Sequence, residues 1–436
     1  MLEIARELER GGYEAWCVGG AVRDAILGHP HLDWDLATSA TPAQVRKLFG
    51  VRRTIPIGVE FGTVGILDQG GVLHEVTTFR RDVRTDGRHA QVEFGASLDE
   101  DLARRDFTIN AIAYSPSRDE IRDPFRGQED LARKLVRAVG EPEQRLREDR
   151  LRALRAIRFA ARFGFTIEAA TLAAIEGSAP YLGRLSAERV RQELEKTMEQ
   201  IRCPSRALAL WKSTGALATV VPALASIGDS TIAGLDLLAV PGPEAKPYRL
   251  MSRTAILFVE LGERGTRDAL AGLRFSRAQI NRIANLASAW ERVGSEVRME
   301  LLGDCRADDA SLRRWIGATG RLDVAPFMRV AGALVMAPLT DDARARVARN
   351  VRSVYRRMLV AARRDAVAVA DLAIDGDDLQ ASGIPRGPPL GKILQALLDA
   401  VLEDPTRNTR DWLLQEAKRL SAQLHRDSGG ADRATD

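Results

Sequence analysis

The sequence predicts an α+β protein, a small mixed α/β domain at the N-terminus followed by an all-helical remainder. Short β-type runs are confined to the first hundred or so residues, where glycine also recurs. From about Leu131 onward, apolar residues instead recur at helical spacing. Aromatic residues make up only 5% of the chain while Ala, Leu and Arg dominate, which also favours helix. A chain of 436 residues is too long for one ordinary core, so two to four domains are expected.

In chain order, the strand candidates are YEAWCVGG, DWDLAT, FGTVGILD, VLHEVTTF and QVEF. AVRDAILG is a short helical pattern closed by Gly28. Together they read as a largely hairpin-connected sheet with helices. LRALRAIRFAARFGF, AATLAAIEG, SAERVRQELEKTMEQ and CPSRALALWKSTGALATV are helical, with Ser186 placed to cap the third and Glu188 in its first turn. Residues 226–247 carry Gly and Pro punctuation and read as a connector. Helical patterns resume over 250–295, 310–370 and 390–424. The last stretch, DSGGADRATD, lacks apolar residues and is expected to be disordered.

Composition excludes several classes. Hydrophobic residues at 45% and charged residues at 28% are the balance of a globular protein. No run approaches the roughly 20 apolar residues of a membrane span. The opening MLEIARELERGGYEAW has charges of both signs and no signal-type apolar core, so a cytoplasmic location is expected. Cys17, Cys203 and Cys305 form no CxxC pair, which argues against a disulfide framework or a zinc site. The formal charge of +4 does not by itself predict nucleic-acid binding.

The densest chemical signal is CVGGAVRDAILGHPHLDWDLATSATPAQV. Asp33 and Asp35, two residues apart in a β-like run, point to the same side. Carboxylates that close repel unless a cation lies between them, and hard oxygen ligands favour Mg²⁺. A pair of Mg²⁺ ions would activate a 3′-hydroxyl and bridge the phosphates of an incoming nucleotide. For a lone DxD, a solvated acidic strand end or turn is the better reading. Upstream, however, Gly19 and Gly20 follow an apolar strand and open a helix. Lacking Cβ atoms, they let backbone N–H groups approach a triphosphate at a helix N-terminus. Arg23 stands one turn in, able to fork onto phosphate oxygens.

These motifs carry a resemblance. GGAVRDAILGHPHLDWD resembles the first motif of the family of class II tRNA nucleotidyltransferases and bacterial poly(A) polymerases, and further matches follow in order. HEVTTFR resembles the strand that supplies a third carboxylate, here Glu75. RRDVRTDGRHAQVEF resembles the flexible loop, with Asp86, Gly87 and Arg88 at its centre. DLARRDFTINAIAY resembles the second motif, in which Arg105 contacts nucleotide. EDRLRALRAIRFAARFGF resembles the nucleotide-selecting motif, and SAERVRQELEKTM the helix after it. The match covers roughly residues 15–200. It implies a nucleotidyltransferase catalytic head over 1–130 and a helical neck over 131–200. A helical body and tail that grip tRNA would follow over 201–424, with a disordered end over 425–436. It further implies CTP, ATP and the tRNA acceptor end as partners and two Mg²⁺ ions as cofactors, with Mn²⁺ able to replace them. Neither a membrane nor an obligatory protein partner is implied.

The selecting motif has a physical reading. Adenine and cytosine each present an exocyclic amino donor beside a ring-nitrogen acceptor, whereas uracil and guanine present the reverse. A site for A and C therefore needs one acceptor beside one donor. Asp149 and Arg152, three apart on one helix, suit that task. On spacing alone, a carboxylate complementing the helix dipole and an ordinary surface ion pair explain the two residues equally well. The resemblance favours base reading. Arg155, Arg158 and Arg162 continue the stripe, either towards triphosphate and the tRNA end or as a solvated helix face. Arg105 and Asp106 read as a nucleotide contact and a structural ion-pair partner, with Arg104 an alternative contact and Asn110 fixing the turn. Many relatives carry an aromatic residue just before the loop Asp, where this chain has Val83, Arg84 and Thr85.

Four products compete within the family: full CCA, CC only, A only, and poly(A). A catalytically silent RNA-binding protein is the alternative outside enzymes. The intact Asp33, Asp35, Glu75, Asp149 and Arg152 argue against it. An appended His–Asp phosphohydrolase domain fails on composition, since the only histidine beyond residue 89 is His425. In the helical remainder, YRRMLVAARR and the arginines of DARARVARNVRSVYRR are candidates for phosphate contacts.

Overall fold

A computed structural model of the chain describes residues 1–29, 34–85, 90–238 and 246–431. It divides into two compact units, Met1–Ala225 and Ser226–Asp436.

The first unit begins with α1 (Leu2–Arg10), β1 (Ala15–Val18) and α2 (Gly20–Ile26). Next come β2 (Asp35–Thr38), α3 (Pro42–Phe49), β3 (Thr54–Gly58), β4 (Thr63–Leu67) and β5 (Leu73–Thr78). A two-stranded ribbon, β6 (Arg80–Thr85) with β7 (Ala90–Phe94), precedes α4 (Leu98–Ala103), β8 (Ala113–Ser115) and β9 (Glu120–Arg122). Seven of these strands form one sheet in the order β3-β4-β5-β2-β1-β8-β9. Its pairs β1–β2, β1–β8, β3–β4, β4–β5 and β8–β9 are antiparallel, and β3–β4, β4–β5 and β8–β9 are the hairpins expected from the sequence. The exception is the parallel pair β2–β5, which follows from the long excursion through α3, β3 and β4 between them. Every residue of β1 is buried, as the central position demands. Trp16, Val18 and Ala37 pack with Phe79, Leu98, Leu102, Ala113 and Val139 into one core that holds the strand ends in place. Thr41 and Gln44 make a capping box on α3, and Ser97 and Glu100 make one on α4.

The unit closes with α5 (Gly127–Ala132), β10 (Leu135–Val136), α6 (Pro142–Glu148), α7 (Leu151–Phe163), β11 (Thr166–Ile167), α8 (Ala169–Ser178), α9 (Ala187–Gln200), α10 (Ser205–Ser213) and α11 (Ala216–Val220). β10 and β11 pair in parallel as a separate two-stranded sheet. Ser186 occupies the N-cap of α9 as expected, although its side chain makes no capping bond.

The second unit is helical: α12 (Asp229–Gly234), α13 (Lys246–Phe258), α14 (Gly262–Gly272), α15 (Arg277–Leu302), α16 (Asp309–Thr319), α17 (Val324–Met336), α18 (Asp341–Arg364), α19 (Gly376–Ala381), α20 (Pro388–Glu403) and α21 (Arg410–Ala431). α15 is its axis, burying Ile283, Leu286, Val293, Val297 and Leu301 against α13, α14, α16, α17 and α18. Two expectations are corrected here. The connector over 226–247 is partly ordered, because Ile232, Leu235 and Leu238 give α12 and the turn after it an apolar side against α13 and α17. The C-terminal helix runs to Ala431, past the point where apolar residues end, since extending a formed helix is far cheaper than nucleating one. Among the described residues, no helix is long and apolar enough to cross a membrane, and all three cysteines are free.

Candidate active site

Sheet register builds the floor of the site. Val18, the last residue of β1, pairs with Asp35, the first residue of β2. The Gly19–Gly20 turn therefore emerges directly beside the Asp35 carboxylate. One step ahead of the parallel Leu36–Val76 pair, Asp35 and Glu75 begin the matching stretch on adjacent strands, and both are exposed. Gly19 has φ +76°, a conformation suited to glycine. A Cβ there would also come within 2.9 Å of a guanidinium nitrogen of Arg105. The glycine thus lets an arginine lie against the turn.

A cleft of about 400 Å³ opens over this turn. Of the residues expected at the site, Gly19, Gly20, Arg23, Asp35, Arg105, Asp149, Arg152 and Arg155 line it. Arg104, Asp106, Asn110 and Phe159 line it as well. Glu75 is not on its lining. Asp33, Asp86, Gly87 and Arg88 lie outside the described residues.

Behind the cleft wall runs a chain of charged groups. Arg23 is almost fully buried, its guanidinium held by Asp24 at 2.6 Å and donating to Asn110 Oδ1 at 2.5 Å, above the rings of Phe159 and Phe163. Asn110 Nδ2 in turn donates to Asp106 Oδ1 at 2.8 Å. Asp106 Oδ2 takes Arg155 at 2.8 Å. Burial would raise the Asp106 carboxyl, but the charge of Arg155 and the hydrogen bond from Asn110 outweigh it and hold the group below the ordinary carboxylate range. Arg23 and Arg158 are instead pulled down by burial, against the pull of Asp24 and Glu193 respectively.

Two expectations change. Arg158 does not reach the cleft: it is buried, with Nε donating to Glu193 Oε2 at 2.7 Å, because α7 turns that side of its stripe onto α9. Arg23 lines the cleft, but its fork is already engaged by Asp24 and Asn110, so it positions the wall more than it offers free donors.

The selecting pair also sits differently. The single helix expected through Asp149 and Arg152 is two helices. Asp149 lies between α6 and α7 in an extended conformation, φ −147° and ψ 105°. Its Oδ1 accepts from the Leu151 N–H at 3.0 Å, a local bond that competes with continued helix. The two residues still share the cleft, joined by the Arg152 N–H to the Asp149 carbonyl at 3.1 Å. Arg152 is anchored by Glu148 Oε2 at 2.8 Å and by the carbonyls of Arg145 and Arg104. Asp149 Oδ2 accepts from Arg189 Nη2 at 2.7 Å.

The roles of Glu193 and of Arg189 as partners escaped the sequence reading. Their i, i+4 spacing on α9 was a signal that both face one neighbour. The buried contacts of Asn110 and Phe159 had no local signature.

The donor set is oxygen-only on the strand side, with Asp35 and Glu75 on neighbouring strands, and matches a hard divalent cation. Among the described residues no cluster of three such donors forms, Asp33 standing outside them.

The sequence matches the family model of the poly A polymerase head domain over residues 15–137. Models of the RNA- and SrmB-binding site of polymerase A and of tRNA nucleotidyltransferase domain 2 match over 164–227 and 348–417. A CCA-adding enzyme of Latilactobacillus sakei is 36% identical over 421 residues, spanning 96% of this chain and 97% of that protein. One from Geobacillus thermodenitrificans is 46% identical over 230 residues, 52% of this chain and 55% of that protein. In three dimensions the chain resembles the Bacillus stearothermophilus CCA-adding enzyme solved in complex with CTP, with TM-score 0.73, 30% identity and 98% of both chains covered.

Proposed function

The chain belongs to the family of CCA-adding enzymes, and from that premise we propose that it adds C, C and A in turn to the 3′ end of tRNA from CTP and ATP, with no nucleic-acid template. The observation that carries this reading is one cleft holding an acceptor, Asp149, and a donor, Arg152, beside the Gly19–Gly20 turn and Asp35. Protein groups there can do the base reading that a template strand does elsewhere.

In this reading the Asp149 carboxylate accepts the exocyclic amino group of cytosine or adenine, and Arg152 donates to the ring nitrogen. Glu148 and two backbone carbonyls keep the Arg152 guanidinium from swinging. The Gly19–Gly20 backbone and Arg105, with Arg104 and Arg155, cradle the triphosphate. The terminal 3′-oxygen of tRNA then bonds to the α-phosphorus, the bond to the β-phosphate oxygen breaks, and pyrophosphate leaves as the hydroxyl gives up its proton. The family depends on a divalent metal. Here Asp33 and Asp35, with Glu75, would hold two Mg²⁺ ions, replaceable by Mn²⁺, which when bound acidify the hydroxyl and neutralise triphosphate charge. Asp86, Gly87 and Arg88 belong to the loop that helps the change from C to A addition. The second unit supplies phosphate contacts to tRNA, read by shape rather than by base edges.

The test is the product ladder from a tRNA lacking CCA and from a generic RNA, with CTP and ATP supplied singly and together. Growth by three nucleotides, on tRNA only and only with both nucleotides, is the expected result. Long A tails on generic RNA would make the protein a poly(A) polymerase, and arrest after two C residues a CC-adding enzyme.

A further inference from the structure

Resting on the reading of Asp149 as the base acceptor, we propose that Arg189 is a positioning residue for nucleotide selection, acting through Asp149. Arg189 does not line the cleft. It stands in the first turn of α9, its N–H bonded to the Ser186 carbonyl at 3.1 Å, and reaches the Asp149 Oδ2 at 2.7 Å.

The need for such a residue follows from the bases. Cytosine and adenine offer an exocyclic N–H₂ beside an unprotonated ring nitrogen. Uracil and guanine offer a ring N–H beside a carbonyl oxygen. A carboxylate accepts from either kind of N–H, and a guanidinium donates to either kind of acceptor. The identities of Asp149 and Arg152 therefore do not discriminate by themselves. Discrimination rests on holding the carboxylate opposite the exocyclic group and away from the ring edge.

Asp149 has weak local means of doing so. It sits outside both helices, in extended backbone between α6 and α7, so no helical turn limits its side chain. The Leu151 N–H fixes one oxygen, Oδ1. The second would swing about that anchor, and Arg189 is the group that fixes it. With two donors in place, a carboxylate still has lone pairs for the base. Arg189 is itself held on a 14-residue helix whose Val190, Glu193, Leu194 and Met198 are buried, so the anchor is tied to the core. The ion pair is about 30% exposed on each side, and its loss should leave the fold intact.

The experiment measures kcat and KM for CTP, ATP, UTP and GTP on tRNA lacking CCA, with Arg189→Ala, Arg189→Lys and Asp149→Ala. Arg189→Ala is expected to raise the use of UTP and GTP relative to CTP and ATP by about tenfold and to raise KM for the correct nucleotides more than it lowers kcat. Arg189→Lys, keeping one charged donor, restores part of the selectivity. Unchanged selectivity and KM in a folded Arg189→Ala protein, while Asp149→Ala abolishes selectivity, overturns the positioning role alone. If Asp149→Ala also leaves selectivity intact, the reading of Asp149 falls and the proposal with it. A fall in kcat alone in Arg189→Ala, with KM and selectivity unmoved, overturns it too.

Discussion

Around the cleft, Arg23 and Arg158 meet carboxylates at 2.6 and 2.7 Å, and both are nearly buried. On α18 in the second unit, Arg346, Arg349, Arg352, Arg356 and Arg363 are exposed, and among the described residues no ion pair joins any of them. Their spacing keeps them within one sector of the helix, away from its buried Val347, Val354, Met358 and Ala361. The contrast separates two uses of one side chain. An arginine locked onto a buried carboxylate gives up long-range attraction and supplies position. An arginine left in water supplies charge, at the expense of precision, and suits a polyanion whose phosphates must be gripped in many registers.

The largest effect expected on the cleft side of this contrast is at Asp35. Replacing it with Ala removes a donor to the divalent ions, and nucleotide incorporation should fall by about a thousandfold or more in single-turnover assays. The residue is exposed at the start of β2, so the melting curve should barely move. A comparable collapse of stability would place Asp35 in the architecture instead. Next in size is Glu193→Ala. It strands Arg158 in the interior without its carboxylate and should cost about 3–5 kcal/mol, read as a lowered denaturant midpoint. A change below about 1 kcal/mol would mean that the buried arginines are not held by pairing, and the contrast with α18 would lose its basis. The smallest effect is expected on α18. Arg349→Ala with Arg352→Ala should weaken tRNA binding a few-fold and flatten the slope of log Kd against log salt by about 0.7–0.9 per phosphate contact removed. Incorporation at saturating tRNA should persist. An unchanged slope would take α18 out of the RNA-binding surface.

How much of this was legible in the sequence depends on how far apart the partners lie. The Gly19–Gly20 turn and Asp35 are close in sequence and close in the sheet, so a strand, a turn and a second strand sufficed to read them together. β3, β6, β8 and β9 went unread. Each owes its existence to a neighbour rather than to a pattern of its own, and Ile55 and Ile57 of β3 even face solvent. The arginine stripe of α7 was visible, but which of its members turns inward was decided by Glu193, 35 residues beyond Arg158. The helix break at Asp149 was missed because helical spacing continues on both sides of it, and only the side chain's bond to the Leu151 N–H interrupts the backbone. Asp33 and the loop at Asp86, Gly87 and Arg88 lie outside the described residues, so their roles stand as read from the resemblance.

The same break has a mechanical consequence. Because the Arg152 N–H bonds the Asp149 carbonyl at 3.1 Å, the two halves of the base-reading pair share one tight turn of backbone. Their backbones cannot separate without breaking that turn, and the side chains it carries are held apart at a set distance by Arg189 on one and by Glu148 and the Arg104 carbonyl on the other. Such a gauge can follow a primer that lengthens by one nucleotide at each step while its own jaws stay at a constant opening.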